Sequence, residues 1–224
     1  MASSVAALTT TSYAILGQLA LRPWTTYELA AEMRRNVHYF WPRAESLIYA
    51  EVKRLAVKRL AVAEKSAIGK RPRTTYSITP AGQAALSAWL ETRPRPFALE
   101  LEALLRVLLA RFGTREDLLA TLVAAREDAQ ELLTLGSAIM QEYATGRAPF
   151  QDEAHLRAFV FDFLHSFALT LEQWTSRTRI EVEGWQDLSP DRKQQRALTI
   201  ITQAMAAPQE AHGPPERPLD RLEG

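Results

Sequence analysis

Around residue 78 the sequence switches from strand period to helix period. Thr74-Thr75-Tyr76-Ser77-Ile78 alternates, with Thr74, Tyr76 and Ile78 on one face and Thr75 and Ser77 on the other. Thr79-Pro80 then opens a helix: Thr79 is a capping residue, and Pro80 takes the first helical position, where a missing N–H costs nothing. Just upstream, Gly69 and Pro72 predict a turn, and Ala61–Ile68 predicts a weaker strand before it. Lys65, Lys70, Arg71 and Arg73 crowd around that turn. A lone hairpin is marginal in water, so this one must lean on helices.

The preceding residues supply them. Thr10–Leu21 predicts a first helix with Ile15, Leu16, Leu19 and Ala20 facing inward, ended by Pro23. Thr25 and Glu28 have the spacing of a capping box and start a second helix, in which Leu29, Ala30 and Met33 continue the apolar face to about Asn36. "HYFWP" interrupts the pattern. A third helix is predicted from about Ala44 to Arg59, with Ile48, Val52 and Leu55 on one face and Ser46, Tyr49, Lys53 and Val57 on the other. Pro80 begins a fourth, to about Leu90.

"RPRPF" at 93–97 divides the chain, because two prolines remove donors and fix an extended path. Beyond it the segments read as long helices: about Ala98–Phe112, ended by Gly113; Thr114, a cap with Glu116 and Asp117 in the first turn, to about Ala144; about Asp152–Glu183, before Gly184; and Ser189-Pro190 to about Met205. Leu101, Leu104, Leu105, Leu108 and Leu109 give the first of these a broad apolar face. Four prolines in "APQEAHGPPERPLDRLEG" predict a disordered tail. The reading is mainly α with a small β wing: a winged helix-turn-helix at 1–92, an all-helical dimerisation domain at 97–207 and a tail at 208–224.

Charge follows the same division. The net charge of +1 splits into +8 over residues 1–96 and −7 over 97–224, from 14 against 6 and 13 against 20 charged side chains. A basic part suits a polyanion, since neutralising phosphate releases counterions. The chain has no cysteine, which excludes disulfides and thiol chemistry. No apolar run approaches the ~18 residues of a membrane span, and a cytoplasmic protein is expected. Asp162 and His165 lie three apart, but the ten residues from His155 to His165 are not a helical repeat, so no metal is expected. No nucleophile–base pair or phosphate-cradling glycine loop is present, and no cofactor or enzymatic activity is expected.

Three helices, a strand, a basic turn, a strand and a helix is the order of a winged helix-turn-helix, in which a recognition helix enters the major groove and the hairpin tip meets backbone or minor groove. The residues also resemble a known family. "FWPRAESLIYAEVKRL" at 40–55 and "RTTYSITPAGQAALSAWL" at 73–90 are similar to the PadR family of bacterial transcriptional regulators. The matching features are Phe40-Trp41-Pro42, Ser46, Ile48-Tyr49, Lys53-Arg54, then Tyr76, Thr79 and Gly82; "TTYELA" at 25–30 resembles the start of the family's second helix. The likeness covers about residues 12–90. It implies a homodimer bound to double-stranded DNA at inverted repeats, and repression relieved by a small molecule. By position it implies DNA contacts from Tyr27, Ser46, Tyr49, Lys53, Lys70, Arg71 and Arg73.

This sequence also departs from the family. Ala44 stands where a capping Ser or Thr is common, Arg59 replaces a common Gly, Thr26 replaces the Gly before Tyr27, and Glu45 puts a negative charge at the groove-facing end. Arg54, Lys58 and Arg59 read as solvated surface. Glu45 and the lost cap leave an alternative, a winged-helix adaptor that binds another protein and not DNA. Leu156, Phe159, Phe163, Phe167, Leu171 and Trp174 recur at three- or four-residue steps, which predicts core or subunit-interface packing. A small apolar or aromatic effector is expected in a pocket near Phe163, Phe167, Trp174 and Trp185.

Overall fold

Helix starts follow the capping chemistry of the sequence. The computed structural model describes residues 7–68, 71–188 and 193–206, and the chain divides into two units, Met1–Ala98 and Leu99–Gly224. In the first unit α1 (Thr10–Leu21) is closed by a Thr9–Ser12 capping box. In α2 (Thr26–Asn36) Thr25 and Glu28 form the expected box, and in α4 (Pro80–Leu90) Thr79 accepts from the Gly82 N–H. The exception is α3 (Glu45–Val57), where Ala44 offers no side-chain cap.

Between α3 and α4 run β2 (Ala61–Ile68) and β3 (Arg71–Ile78). They pair antiparallel from Ala61↔Ile78 to Ile68↔Arg71. A two-residue strand, β1 (Trp24–Thr25), adds to the other side of β3, giving the order β1-β3-β2. It is too short for any alternation to reveal. Pro72 and Arg73 are strand residues and not turn residues; β1 pairs only with Thr75 and Tyr76, so Pro72 meets no strand on that side, where a missing donor is tolerated. Ile15, Leu16, Leu19, Leu29, Ile48, Val52 and Leu55 are buried together with Trp24 and Tyr76 from the sheet. Ala20, expected to face inward, lies exposed at the edge of the α1 stripe. α3 stops two residues early because Arg59 is in the left-handed region, at φ 61°. That is the conformation a glycine adopts without penalty.

Arg54 is not solvated surface. Its Nε and Nη2 donate to the two carboxylate oxygens of Glu51 at 2.7 and 2.6 Å, and Nη2 also donates to Ser12 Oγ at 3.0 Å. Ser12 in turn donates to Glu51. The cluster ties α1 to α3 through a buried carboxylate. Burial works against the charged form of Glu51, but the hydrogen bonds from Arg54 and Ser12 outweigh it and hold the carboxyl below its ordinary range. A carboxyl lowered by folding stabilises the fold above its unfolded value of about 4.3, and loses that contribution as pH falls through the lower folded value. Arg54→Ala should therefore destabilise the first unit by about 2–3 kcal/mol at pH 7, by stranding Glu51. The deficit should shrink below about pH 4 as Glu51 protonates in the variant. Urea midpoints followed by tryptophan fluorescence from pH 3 to pH 7 measure this; a deficit unchanged with pH would show that Glu51 carries no charge worth pairing.

In the second unit a capping box of Thr114 and Asp117 starts α6 (Arg115–Ala144), which pairs with α7 (Ala154–Glu183). The pair is antiparallel: Leu118 and Leu122 at the start of α6 pack on Val182 at the end of α7. Arg115 Nε and Nη2 donate to the carbonyls of Val182 and Glu183 at 3.1 and 2.8 Å, satisfying the end of α7. The face of α7 that meets α6 is Leu164, Ala168, Thr175 and Val182, spaced by fours and sevens. Small residues there allow close approach, and Arg126 pairs with Glu172 at 2.9 Å along the same contact.

Two expectations fail here. The single helix predicted for Ala98–Phe112 is a seven-residue α5 (Glu102–Leu108) followed by a 3-10 turn at Ala110–Phe112. It turns Val107 and Ala110 toward the Leu118–Leu122–Val182 cluster, and leaves Leu104, Leu105, Leu108 and Leu109 exposed. α7 likewise begins later than predicted, after a 3-10 turn at Gln151–Glu153. α8 (Lys193–Ala206) ends near the expected Met205; its predicted Ser189-Pro190 start and the predicted tail at 208–224 lie outside the described residues.

Candidate nucleic-acid interface

α3 divides cleanly by face. Ile48, Glu51, Val52 and Leu55 are buried, while Ser46, Leu47, Ala50, Lys53 and Val57 are exposed. Tyr49 lies between, half-buried. Tyr27, on the first turn of α2, is 72% exposed.

The N-terminus of α3 has no side-chain cap, and side-chain contacts tie it to α2 instead. Arg34, in the last turn of α2, pairs with Glu45, at the first position of α3. Tyr49 donates its hydroxyl to Glu45 Oε2 at 3.2 Å, one turn further on. The Glu45 charge also suits the positive end of the helix dipole. Glu45 is therefore a junction between α2 and α3, a role invisible along the chain because its partner Arg34 lies eleven residues away across a loop. Desolvation raises the Tyr49 hydroxyl above its ordinary pKa, and so do the hydrogen bond and charge of Glu45.

The wing cations separate into different roles. Arg73 Nη2 donates to both carboxylate oxygens of Glu28 at 3.2 Å. Glu28 also takes the backbone N–H and hydroxyl of Thr25, which with Arg73 and Arg22 hold it below the usual carboxylate range despite partial burial. Arg73 thus fastens the wing to the α2 cap and does not stand out as a loose cation. Lys65 is exposed on β2, opposite Thr74. Arg71 opens β3, and Lys70 lies outside the described residues.

The junction behind the wing explains the Tyr76, Thr79 and Gly82 spacing. Tyr76 is buried at mid-sheet opposite Ala63 and Trp24. The Thr79 hydroxyl donates to the Arg59 carbonyl at 2.8 Å and accepts from the Gly82 N–H at 3.1 Å. Gly82 sits so close to the Leu60 carbonyl that a Cβ there would lie 2.1 Å from its oxygen.

The four residues expected around an effector are not gathered. Phe163 is 61% exposed and Phe167 half-buried. Trp174, eleven residues beyond Phe163 on the same helix, packs with Trp185 against Leu118, Leu122 and Val182; at ~1.5 Å per residue that is roughly 16 Å away. A cleft of about 430 Å³ lies elsewhere in this unit, lined by Met140, Tyr143, Ala154, Ala158 and Phe161 with Asp162 and His165. Among the described residues no group of three His, Asp or Glu could hold a metal ion, and no helix is long and apolar enough to cross a membrane.

Several solved structures share the fold. Bacillus subtilis PadR in complex with operator DNA is 18% identical, with a TM-score of 0.66 over 78% of this chain and 99% of that one. The same protein in complex with p-coumaric acid is 18% identical, with a TM-score of 0.60 over 80% and 100%. The Vibrio cholerae virulence activator AphA is 19% identical, with a TM-score of 0.59 over 78% and 98%. No curated protein matches the chain. Residues 15–88 match the sequence pattern of the transcriptional regulator PadR-like family, whose members are regulators and not enzymes. That stretch holds α2, α3, β2 and β3, and over it the chain is similar to the PadR-like family of transcriptional regulators.

Proposed function

We propose that the protein is a homodimeric, sequence-specific DNA-binding repressor whose grip on an inverted-repeat operator is released by a small apolar or aromatic effector. The exposed face of α3 carries this reading: Ser46 and Lys53 lie there, with half-buried Tyr49 at its edge and Tyr27 on the neighbouring α2, and the wing cations Lys65, Lys70 and Arg71 follow in the sequence. The related B. subtilis protein bound to operator DNA supports it. In this reading α3 enters the major groove and Lys70 and Arg71 reach phosphate, while Arg73 acts by holding the wing to Glu28. The second unit joins two copies through its exposed apolar side chains. The effector site moves from the four aromatics to the cleft around Phe161, and that an effector is taken at all is supported by the B. subtilis protein in complex with p-coumaric acid.

Binding to duplex DNA from upstream of the protein's own coding region, beside an unrelated duplex of equal length, tests the reading. The upstream duplex should bind far more tightly, and log-affinity should fall steeply with log-salt. Replacing Lys65, Lys70 and Arg71 together by Ala should flatten that slope. Equal weak binding to both duplexes, unchanged in the variant, would remove DNA binding and favour a protein partner. Lys53→Ala alone should weaken binding to both duplexes alike and reduce the magnitude of the slope by about 1, if it meets phosphate. A loss confined to the upstream duplex would instead make Lys53 a base contact.

A further inference from the structure

We propose that Glu45 and Tyr49 form an acceptor-only pair at the N-terminus of α3 that selects cytosine or adenine over guanine or thymine at one position of each operator half-site. This rests on the DNA-binding reading above and adds the chemistry of what is read.

A tyrosine hydroxyl has one proton to give and lone pairs to accept with. The Tyr49 proton is already given to Glu45 Oε2. Desolvation and Glu45 itself both oppose ionisation of the phenol, so the hydroxyl keeps its proton. What Tyr49 offers outward is a lone pair. Glu45 is a carboxylate and only accepts; one oxygen takes Arg34 and the other Tyr49. Its side chain is still 44% exposed, so acceptor capacity reaches solvent. If Arg34 left Glu45 for a phosphate, more acceptor capacity would open and no donor would appear.

The recognition helix of this motif meets base edges with its N-terminal residues. In the major groove the donors are the N4 amine of cytosine and the N6 amine of adenine; guanine O6 and N7, thymine O4 and the phosphate oxygens only accept. An acceptor-only pair therefore gains from C or A and is repelled by G, T or phosphate. Lys53, two turns further along the same stripe, supplies donors and sets the opposite end of the face apart.

Selection of duplexes from a randomised library by the full-length protein tests this, run beside Tyr49→Phe and Glu45→Gln. The wild type should enrich C or A over G and T roughly tenfold or more at one position per half-site, in line with the discrimination a good base contact gives. Tyr49→Phe should weaken the preference at that position, leaving Glu45 as the remaining acceptor, and leave the other positions and the salt slope unchanged. Glu45→Gln should relax it toward G or T, because an amide also donates. Three results overturn the proposal. They are that both variants select the wild-type sequence, that the wild type prefers G or T where the variants change it, or that Tyr49→Phe weakens all duplexes alike, which would place the hydroxyl on phosphate. A wild type that binds no duplex at all would instead fail the DNA-binding reading, and this inference with it.

Discussion

Gly82→Ala should unfold much of the wing junction and lower the stability of the first unit by about 3 kcal/mol or more. The new methyl carbon would sit 2.1 Å from the Leu60 carbonyl oxygen and 2.9 Å from Ile78 Cγ1. The first contact is with backbone, which no rotamer change relieves. The Leu60 carbonyl is also committed, since it accepts from the Thr79 N–H at 3.1 Å. Moving it breaks that bond and disturbs the Thr79 cap of α4. A loss of 3 kcal/mol is a large part of the ~5–15 kcal/mol that holds a domain together. Hydrogen exchange read peptide by peptide is the measurement: peptides from β2, β3 and α4 should lose protection, and those from α6 and α7 should keep theirs. Gly17→Ala is the control. Its Cβ would meet nothing within 4 Å in mid-α1, so it should stabilise by ~0.5–1 kcal/mol. Equal protection in Gly82→Ala and wild type would mean that the junction yields freely, and the spacing of Tyr76, Thr79 and Gly82 would need another explanation.

The first unit was legible because its signals are local. A capping box spans four residues, a strand alternates over five, and a Thr-Pro start spans two, so each could be read in place. α1, α2, β2 and α4 fall where that chemistry puts them. Side-chain pairings across the fold were not legible. Arg54 looked like surface because Ser12, one of its partners, is 42 residues away. Arg73 looked like a wing cation because Glu28 is 45 residues away. Glu45 looked like a misplaced charge because Arg34 was not visible as its counterpart. In each case charge was correctly located along the chain, but its partner depends on which helices the fold brings together.

The second unit was harder for another reason. Its helices carry more apolar residues than one contact face needs, so periodicity allowed several faces. The leucines of α5 and the aromatics of α7 were the most conspicuous stripes, yet the contact with α6 uses smaller residues, Ala168 and Thr175 among them. Bulky side chains would have held the helix axes apart. What the sequence did convey was the surplus: a stripe not needed inside the chain is available outside it.

That surplus sets the second large effect. Phe159 and Phe163 are one turn apart on α7 and 74% and 61% exposed. Leu156 extends the stripe, also exposed. If two copies meet on this face, each dimer buries four phenyl groups, at about 1.5–3 kcal/mol each. Replacing both by Glu removes that burial twice over by symmetry and sets like charges against each other. The Phe159→Glu, Phe163→Glu variant should therefore be monomeric at micromolar concentration in sedimentation, where the wild type should be dimeric. Helicity should be unchanged, because neither ring is part of the α6–α7 contact. Operator affinity should fall by about 10²–10⁴, since one winged unit alone loses the gain from holding two half-sites at once. Affinity of one unit for a single half-site should hardly move. A variant that remains a dimer would shift the interface to the exposed leucines of α5, Leu104, Leu105 and Leu108, and the same substitution there would be the next test. A wild type that is itself monomeric would dissolve the two-half-site mechanism, because α3 of a single copy reaches only one half of an inverted repeat.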